Sequence, residues 1–264
     1  MRRLKKALGS ALLGALSLAV LCPASRPARA QWLNYPTKGT PRTAEGKPNL
    51  TAPTPRRPDG KPDLTGVWMG VTKYMINIAA DLKPDEVPFQ PWAAAEFQRR
   101  RDTESKDDPS AQCLPLSVPL RQTITSPFKV IDVAAKEEMV MLYEGSRHRE
   151  IFMDGRPLPK DPEPSWYGYA VGRWEGDDLV IDSIGFNGKE WLDINGHPTT
   201  EALHVVERYH RIDFGHMSLE ITIDDPKAYT RPWKVKESPR LLPDTELLEA
   251  VCENNQDPAH MVGK

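Results

Sequence analysis

The sequence predicts a mainly β protein, an antiparallel meander that closes into a β-barrel, with one helix ahead of the main run of strands and one after it. Three observations carry this expectation. Short runs rich in β-branched and aromatic residues recur at fairly even spacing between residues 128 and 236. The links between them are turn formers: Asp154-Gly155, Glu175-Gly176-Asp177-Asp178, Asn187-Gly188, Asp213-Phe214-Gly215 and Asp224-Asp225-Pro226. Met217 to Asp224 alternates apolar and polar residues without a break, as a strand does when one face is buried and the other wet. A sandwich or another α+β layout stays open, but hairpin links favour the meander.

Taken in order, the chain starts with Arg2, Arg3, Lys5 and Lys6, an apolar run from Ala7 to Leu21, and the small residues of Ala28-Arg29-Ala30. This is the layout of a secretory signal peptide over residues 1–30, cleaved before Gln31, which places the mature protein in the periplasm or outside the cell. Residues 31–62 carry Pro36, Pro41, Pro48, Pro53, Pro55, Pro58 and Pro62 with few large apolar groups, so they read as an extended arm. Residues 63–264 then form a single domain, and no internal repeat of fixed period is expected. Its strands are expected at Leu64–Val71, Phe128–Val133, Glu138–Glu144, Arg149–Phe152, Tyr167–Trp174, Leu179–Phe186, Ala202–Ile212, Met217–Ile223 and Trp233–Lys236. Pro91–Glu104 reads as the first helix, residues 105–127 as loop, and Pro243–Glu253 as the second helix.

The formal net charge is −2, and loss of residues 1–30 removes only basic groups, so the mature chain is more acidic still. That argues against nucleic acid or an anionic membrane surface as a partner, because both need a basic face. No later segment is long and apolar enough for stable membrane insertion. Cys113 and Cys252 survive cleavage and, in an oxidising compartment, are expected to form a disulfide. There is no Gly-x-Ser-x-Gly, His-Glu-x-x-His, Walker or dinucleotide fingerprint, so no cofactor is expected and any chemistry must come from side chains converging from several strands.

The densest polar set lies between Trp191 and His210. Asp193 and His197 have the chemistry of a carboxylate-oriented general base, although the same residues also suit capping of the Asn195-Gly196 turn. His197, Glu201 and His204 suggest a metal set only on a helix; on a strand Glu201 and His204 point opposite ways, so no metal is expected. Leu203, Val205, Glu207 and Tyr209 share one strand face. If that face is inward, Glu207 needs a buried partner, and Arg149 is the candidate, as ligand anchor or as structural ion pair. Trp166, Tyr169, Trp191 and Tyr209 complete the candidate ligand-binding set, with core packing as the alternative use of such aromatics.

Gly66-Val67-Trp68 resembles the Gly-x-Trp opening of lipocalin-like barrels, where the Trp closes the barrel floor. The larger set Asp59–Trp68, Gly172–Val180, Trp191-Leu192-Asp193 with Gly196-His197-Pro198, and Asp224–Tyr229 is similar to a family of uncharacterised secreted bacterial proteins, over nearly the whole mature chain. The resemblance implies secretion and a lipocalin-like barrel and brings no activity with it. The functional expectation is an exported β-barrel that binds a small molecule. The alternatives are a periplasmic acid–base enzyme (isomerase, lyase or hydrolase) using His197, Asp193 and Glu207, and a structural module of the envelope.

Overall fold

The computed structural model describes residues 36–145 and 147–248. The expected signal peptide and Cys252 lie outside the described residues. Ten strands form one sheet: β1 (Gly66–Met69), β2 (Phe128–Val133), β3 (Glu138–Tyr143), β4 (Arg147–Phe152), β5 (Tyr169–Glu175), β6 (Asp178–Ile184), β7 (His204–Arg211), β8 (Met217–Asp224), β9 (Trp233–Glu237) and β10 (Arg240–Leu241). They lie side by side in chain order except that β10 returns to pair with β1. The sheet curls into a half-barrel rather than a closed barrel. β10 draws its two ends toward each other, since Arg240 also bridges His216, just ahead of β8.

The expected hairpin chain breaks at one place. β4 and β5 are parallel and meet through the single pair Phe152–Val171. The intervening stretch holds Pro157, Pro159, Pro162 and Pro164, which have no N–H to give to a ladder, so Asp154-Gly155 starts a crossover and not a tight turn. Elsewhere the alternation read from the sequence sets the faces. Leu219, Ile221 and Ile223 of β8 pair across Tyr209, Glu207 and Val205 of β7, and all six are buried on the concave face. Trp68 is fully buried beside them, its indole N–H donating to Leu64 O at 2.9 Å.

One end of the half-barrel is covered by helices and loops. α1 (Thr72–Ile76), α2 (Pro91–Asp102) and α3 (Leu120–Thr123) lie here with the loop 187–203. α2 agrees with the expected first helix; Pro91 occupies its first turn and Arg99, Arg100 and Arg101 its last. α1 and α3 were not legible as helices because each is barely one turn long and held by tertiary contact. The second expected helix, Pro243–Glu253, is corrected over its described part: residues 243–248 are a turn and irregular chain, and 249–253 lie outside the described residues. Asp244 has a φ of +61°, outside helical space, and its carboxylate forks onto Arg42 at 2.7 and 3.0 Å. The tertiary bond overrides the local propensity.

The other end is floored by the proline-rich arm, and here the sequence does contain a repeat. Pro41-Arg42-Thr43-Ala44-Glu45-Gly46-Lys47-Pro48-Asn49-Leu50-Thr51 recurs as Pro55-Arg56-Arg57-Pro58-Asp59-Gly60-Lys61-Pro62-Asp63-Leu64-Thr65. Both copies fold into the same small hairpin. Thr43 N–H reaches Lys47 O and Arg57 N–H reaches Lys61 O, each at 2.8 Å. Arg42 donates to Gly46 O and forks onto Asp244, while Arg56 donates to Gly60 O and forks onto Asp177 in the β5–β6 turn. The arm is further pinned where Gly215 N–H donates to Leu50 O at 2.7 Å; a Cβ on Gly215 would come within 2.5 Å of the Leu50 side chain, so only glycine admits this approach.

Each arginine should hold its own hairpin. Arg56→Ala gives up an exposed fork, which should appear as roughly fivefold faster amide exchange at Arg57, Gly60 and Asp63, with the 43–49 hairpin unaffected. Exchange that accelerates equally in both hairpins, or in neither, contradicts independent docking.

Candidate ligand site

The middle of the concave face holds a buried polar network among apolar side chains. Arg149 enters from β4 opposite Met141 of β3, and Glu207 from β7 between Ile181 and Ile221. Their side chains are 1% and 0% exposed, with Arg149 Nη2 lying 2.6 Å from Glu207 Oε2. Nη2 also donates to Ser183 Oγ at 2.7 Å, and Tyr209 donates from its hydroxyl to Glu207 Oε1 at 2.7 Å. Burial opposes the charge on Arg149, but the facing Glu207 outweighs it and holds the guanidinium pKa above its ordinary value. Burial, joined by the Glu207 charge, pushes the Tyr209 phenol well above its usual range. The pair inferred from strand faces is therefore formed, with Tyr209 as a third member.

The network is not saturated. Among the described residues, Arg149 Nε and Nη1 are buried without a partner, as is Gln122 Oε1 on α3. Gln122 donates through Nε2 to Tyr143 Oη at 3.0 Å, and Arg121 lies over the Tyr143 ring at 4.8 Å. Tyr143 stacks on Tyr167 with centroids 5.7 Å apart, and Tyr167 lines an open cleft of about 150 Å³ together with Arg121, Arg147, Glu144, Cys113 and Leu116. Burial lowers the Arg121 pKa, with no carboxylate bonded to it among the described residues; its Nη2 donates to the Glu144 carbonyl. Arg121, Gln122 and Tyr143 were missed as site residues. The usable signal was the apolar spacing of Leu116, Val118, Leu120 and Ile124 around two polar side chains, inside a stretch read as loop.

Asp193 and His197 are brought together, with Nδ1 2.5 Å from Oδ2. Both are buried, and the other bonds to Asp193 are from the main-chain N–H groups of Ile78 and His197. The imidazole lies against Phe97 at 4.2 Å and Phe89 at 5.4 Å, with Trp233 at 6.0 Å. This arrangement ties the loop 187–203 to the 72–82 segment and fills the space under α2. Trp191 is buried in the same loop beneath Arg100, 4.3 Å from its guanidinium, and so packs under α2 instead of lining the Arg149 network. Tyr169 turns to the opposite face of β5, against Phe152 and Arg156, because Ala170 takes the buried face there. Trp166 is half-buried in the crossover ahead of β5. Of the five aromatic and basic ligand candidates, only Arg149 and Tyr209 meet. His197, Glu201 and His204 go to three different carboxylate or lysine partners: Asp193, Lys227 and Asp182.

Two further buried acids escaped the sequence reading. Glu190 is 3% exposed with Oε1 unpartnered, and burial raises its pKa to about 7. Glu237, at the end of β9, accepts from Val71 N–H at 2.6 Å and Ser238 N–H at 2.7 Å, and burial likewise raises it to about 7. No protein-family model matches the chain, and no curated protein or solved structure matches it at a significant level.

A carboxyl whose folded pKa is raised above its unfolded value binds its proton more tightly when folded. Stability from Glu190 and Glu237 is thus present below pH 4.5 and lost as pH rises toward about 7. Glu190→Gln and Glu237→Gln should each flatten the fall in unfolding free energy across that window in urea titrations, and an unchanged slope in both would show that these carboxyls are solvated.

Proposed function

We propose that the chain is an exported protein that binds a small molecule, in the manner of lipocalin-like barrels, with an anionic or strongly hydrogen-bond-accepting group of the ligand directed at Arg149. The observation that carries this reading is the pair of unpartnered donors on a buried, charged guanidinium. A structural ion pair closes its hydrogen bonds; leaving buried groups unsatisfied costs about 1–3 kcal/mol each. The basic cleft beside Tyr167 supplies the approach, and movement of the stacked Tyr143–Tyr167 pair opens the way to the network. Nucleic acid and stable membrane insertion have no place in this reading, and periplasmic or secreted localisation follows from the N-terminal segment.

Acid–base catalysis by Asp193 and His197 is less well supported. The imidazole is packed among three aromatic rings, and the carboxylate is held by main-chain N–H groups, as a loop staple requires. Neither residue touches the Arg149 network through any hydrogen bond or ion pair among the described residues.

The test is native mass spectrometry of the protein isolated from its own host. A mass increment that disappears on denaturation is expected. Arg149→Met alone should destabilise by about 3–5 kcal/mol by stranding Glu207, whereas the double change Arg149→Met/Glu207→Leu should recover most of that loss. The double variant should fold and carry no increment; an increment retained in it defeats the proposal.

We propose further that Cys113, at the rim of the cleft, is joined to Cys252, which stabilises by roughly 4–5 kcal/mol in the chain-entropy model. Denatured, unreduced mature protein should then titrate no free thiol, and two free thiols per chain would show the bond to be absent.

A further inference from the structure

We infer that a second site, between the proline-rich arm and the β1–β10 edge, binds an amphipathic organic anion. A cavity of about 470 Å³ lies there, within the size range of small-molecule sites. Val67, Phe214, Leu241 and Leu242 give it an apolar floor, and Lys38 and Lys129 stand at its rim. It is at the opposite end of the half-barrel from the Arg149 cleft and does not depend on the function proposed for that cleft.

Arg211 gives the cavity its chemistry. The residue is 4% exposed and lines the cavity, yet it makes no ion pair among the described residues. Its guanidinium donates only to main-chain carbonyls, those of Asp63, Asp213 and Phe214, and faces the Trp68 and Phe214 rings at 5.0 and 5.3 Å. A buried cation held by neutral acceptors is favoured by an anion brought to it. Burial also lowers its pKa to about 10, although the Asp63 and Asp213 charges act against that fall. Of the carboxylates at the cavity, Asp63 is engaged by Thr65 N–H at 2.8 Å and Glu246 is exposed. Three cations against two acids leave the wall net positive.

The cavity is a built feature of the chain. Gly66 has a φ of +127°, and a Cβ there would come within 2.8 Å of Leu241 Cδ1, so the residue that opens β1 also leaves the wall free of a side chain. The outer wall is closed by a clasp. Asp244 accepts from Thr37 N–H at 2.8 Å and from Arg42, and returns its own N–H to Thr37 Oγ1 at 2.9 Å. An anionic head at Lys129 and Arg211, with an apolar body on Val67, Leu241 and Leu242, uses every distinctive part of the lining.

Anilinonaphthalene sulfonate is the probe, added to the full mature chain and followed by fluorescence. Saturable one-site binding is expected. It should weaken at least tenfold in Lys129→Glu, which reverses the rim charge, and in Leu242→Trp, which fills the floor, with thermal melts confirming that both variants fold. Arg149→Met/Glu207→Leu should bind the probe as the parent does. Equal affinity in the two cavity variants overturns the inference, as does loss of binding in the Arg149/Glu207 variant alone. Binding that appears only after deletion of residues 249–264 also overturns it, by showing that the chain's own C-terminal segment occupies the site.

Discussion

A buried charge pair constrains this half-barrel more than any apolar contact. Apolar side chains on the concave face are interchangeable within limits of volume, and a sheet with only such residues tolerates slippage. Arg149 and Glu207 are different. Each ion loses several kcal/mol of hydration on burial, recovered only when the two meet. A slip of one residue in β4 or β7 puts one charge outside and strands the other in the core. The pair thus fixes the register of two strands separated by β5 and β6, across the one place where the meander is interrupted by a parallel crossover. Without it, β4 and β5 are joined by a single ladder pair, Phe152–Val171, which is too little to set register.

The same pair explains why part of the site was legible from sequence. Period-two alternation assigns each strand residue a face with no knowledge of the fold, so Glu207 and Tyr209 fall with Val205, and Arg149 with Ile151. A carboxylate on an apolar face demands a cation, and few candidates share that property. Tyr169 and Trp191 lie away from the network for the complementary reason. Tyr169 and Trp191 are large and lie near the expected mouth, but their direction depends on neighbours that local pattern does not encode: Ala170 takes the buried face of β5, and Arg100 covers Trp191 from a distant helix. Arg121 and Gln122 were hidden because a single helical turn has no periodicity to read.

The arm shows a different limit. Its proline content and lack of large apolar residues suggest an extended arm, and composition cannot distinguish a free tether from a strap. What decides the matter is polar: two copies of one hairpin, each with an arginine whose fork meets an aspartate presented by the domain, Asp244 for Arg42 and Asp177 for Arg56. These are exposed pairs and individually weak. Their effect comes from following main-chain bonds at Leu50 and Ala52, and the bond from Arg211 to the Asp63 carbonyl, that have already ordered the segment, so the arginines lose less entropy on pairing than free side chains do. The repeat was readable in the sequence and was obscured by its interrupting prolines, which suggested composition and not pattern.

Both proposed sites rest on arginines that the protein buries without completing their surroundings, and the two are incomplete in different ways. Arg149 has its counter-charge and two donors without partners among the described residues; Arg211 has its hydrogen bonds and no ion pair among the described residues. The first deficit is met by any acceptor of the right shape, charged or neutral, so the Arg149 cleft selects by geometry. The second is met only by negative charge, so the arm cavity selects by electrostatics and tolerates variety in the apolar body. Salt should therefore weaken binding at the arm cavity, where the rim is open to ions, far more than at Arg149, where the charge is already neutralised inside the sheet. On these two proposals, two buried cations of one residue type would give the chain two distinct kinds of recognition.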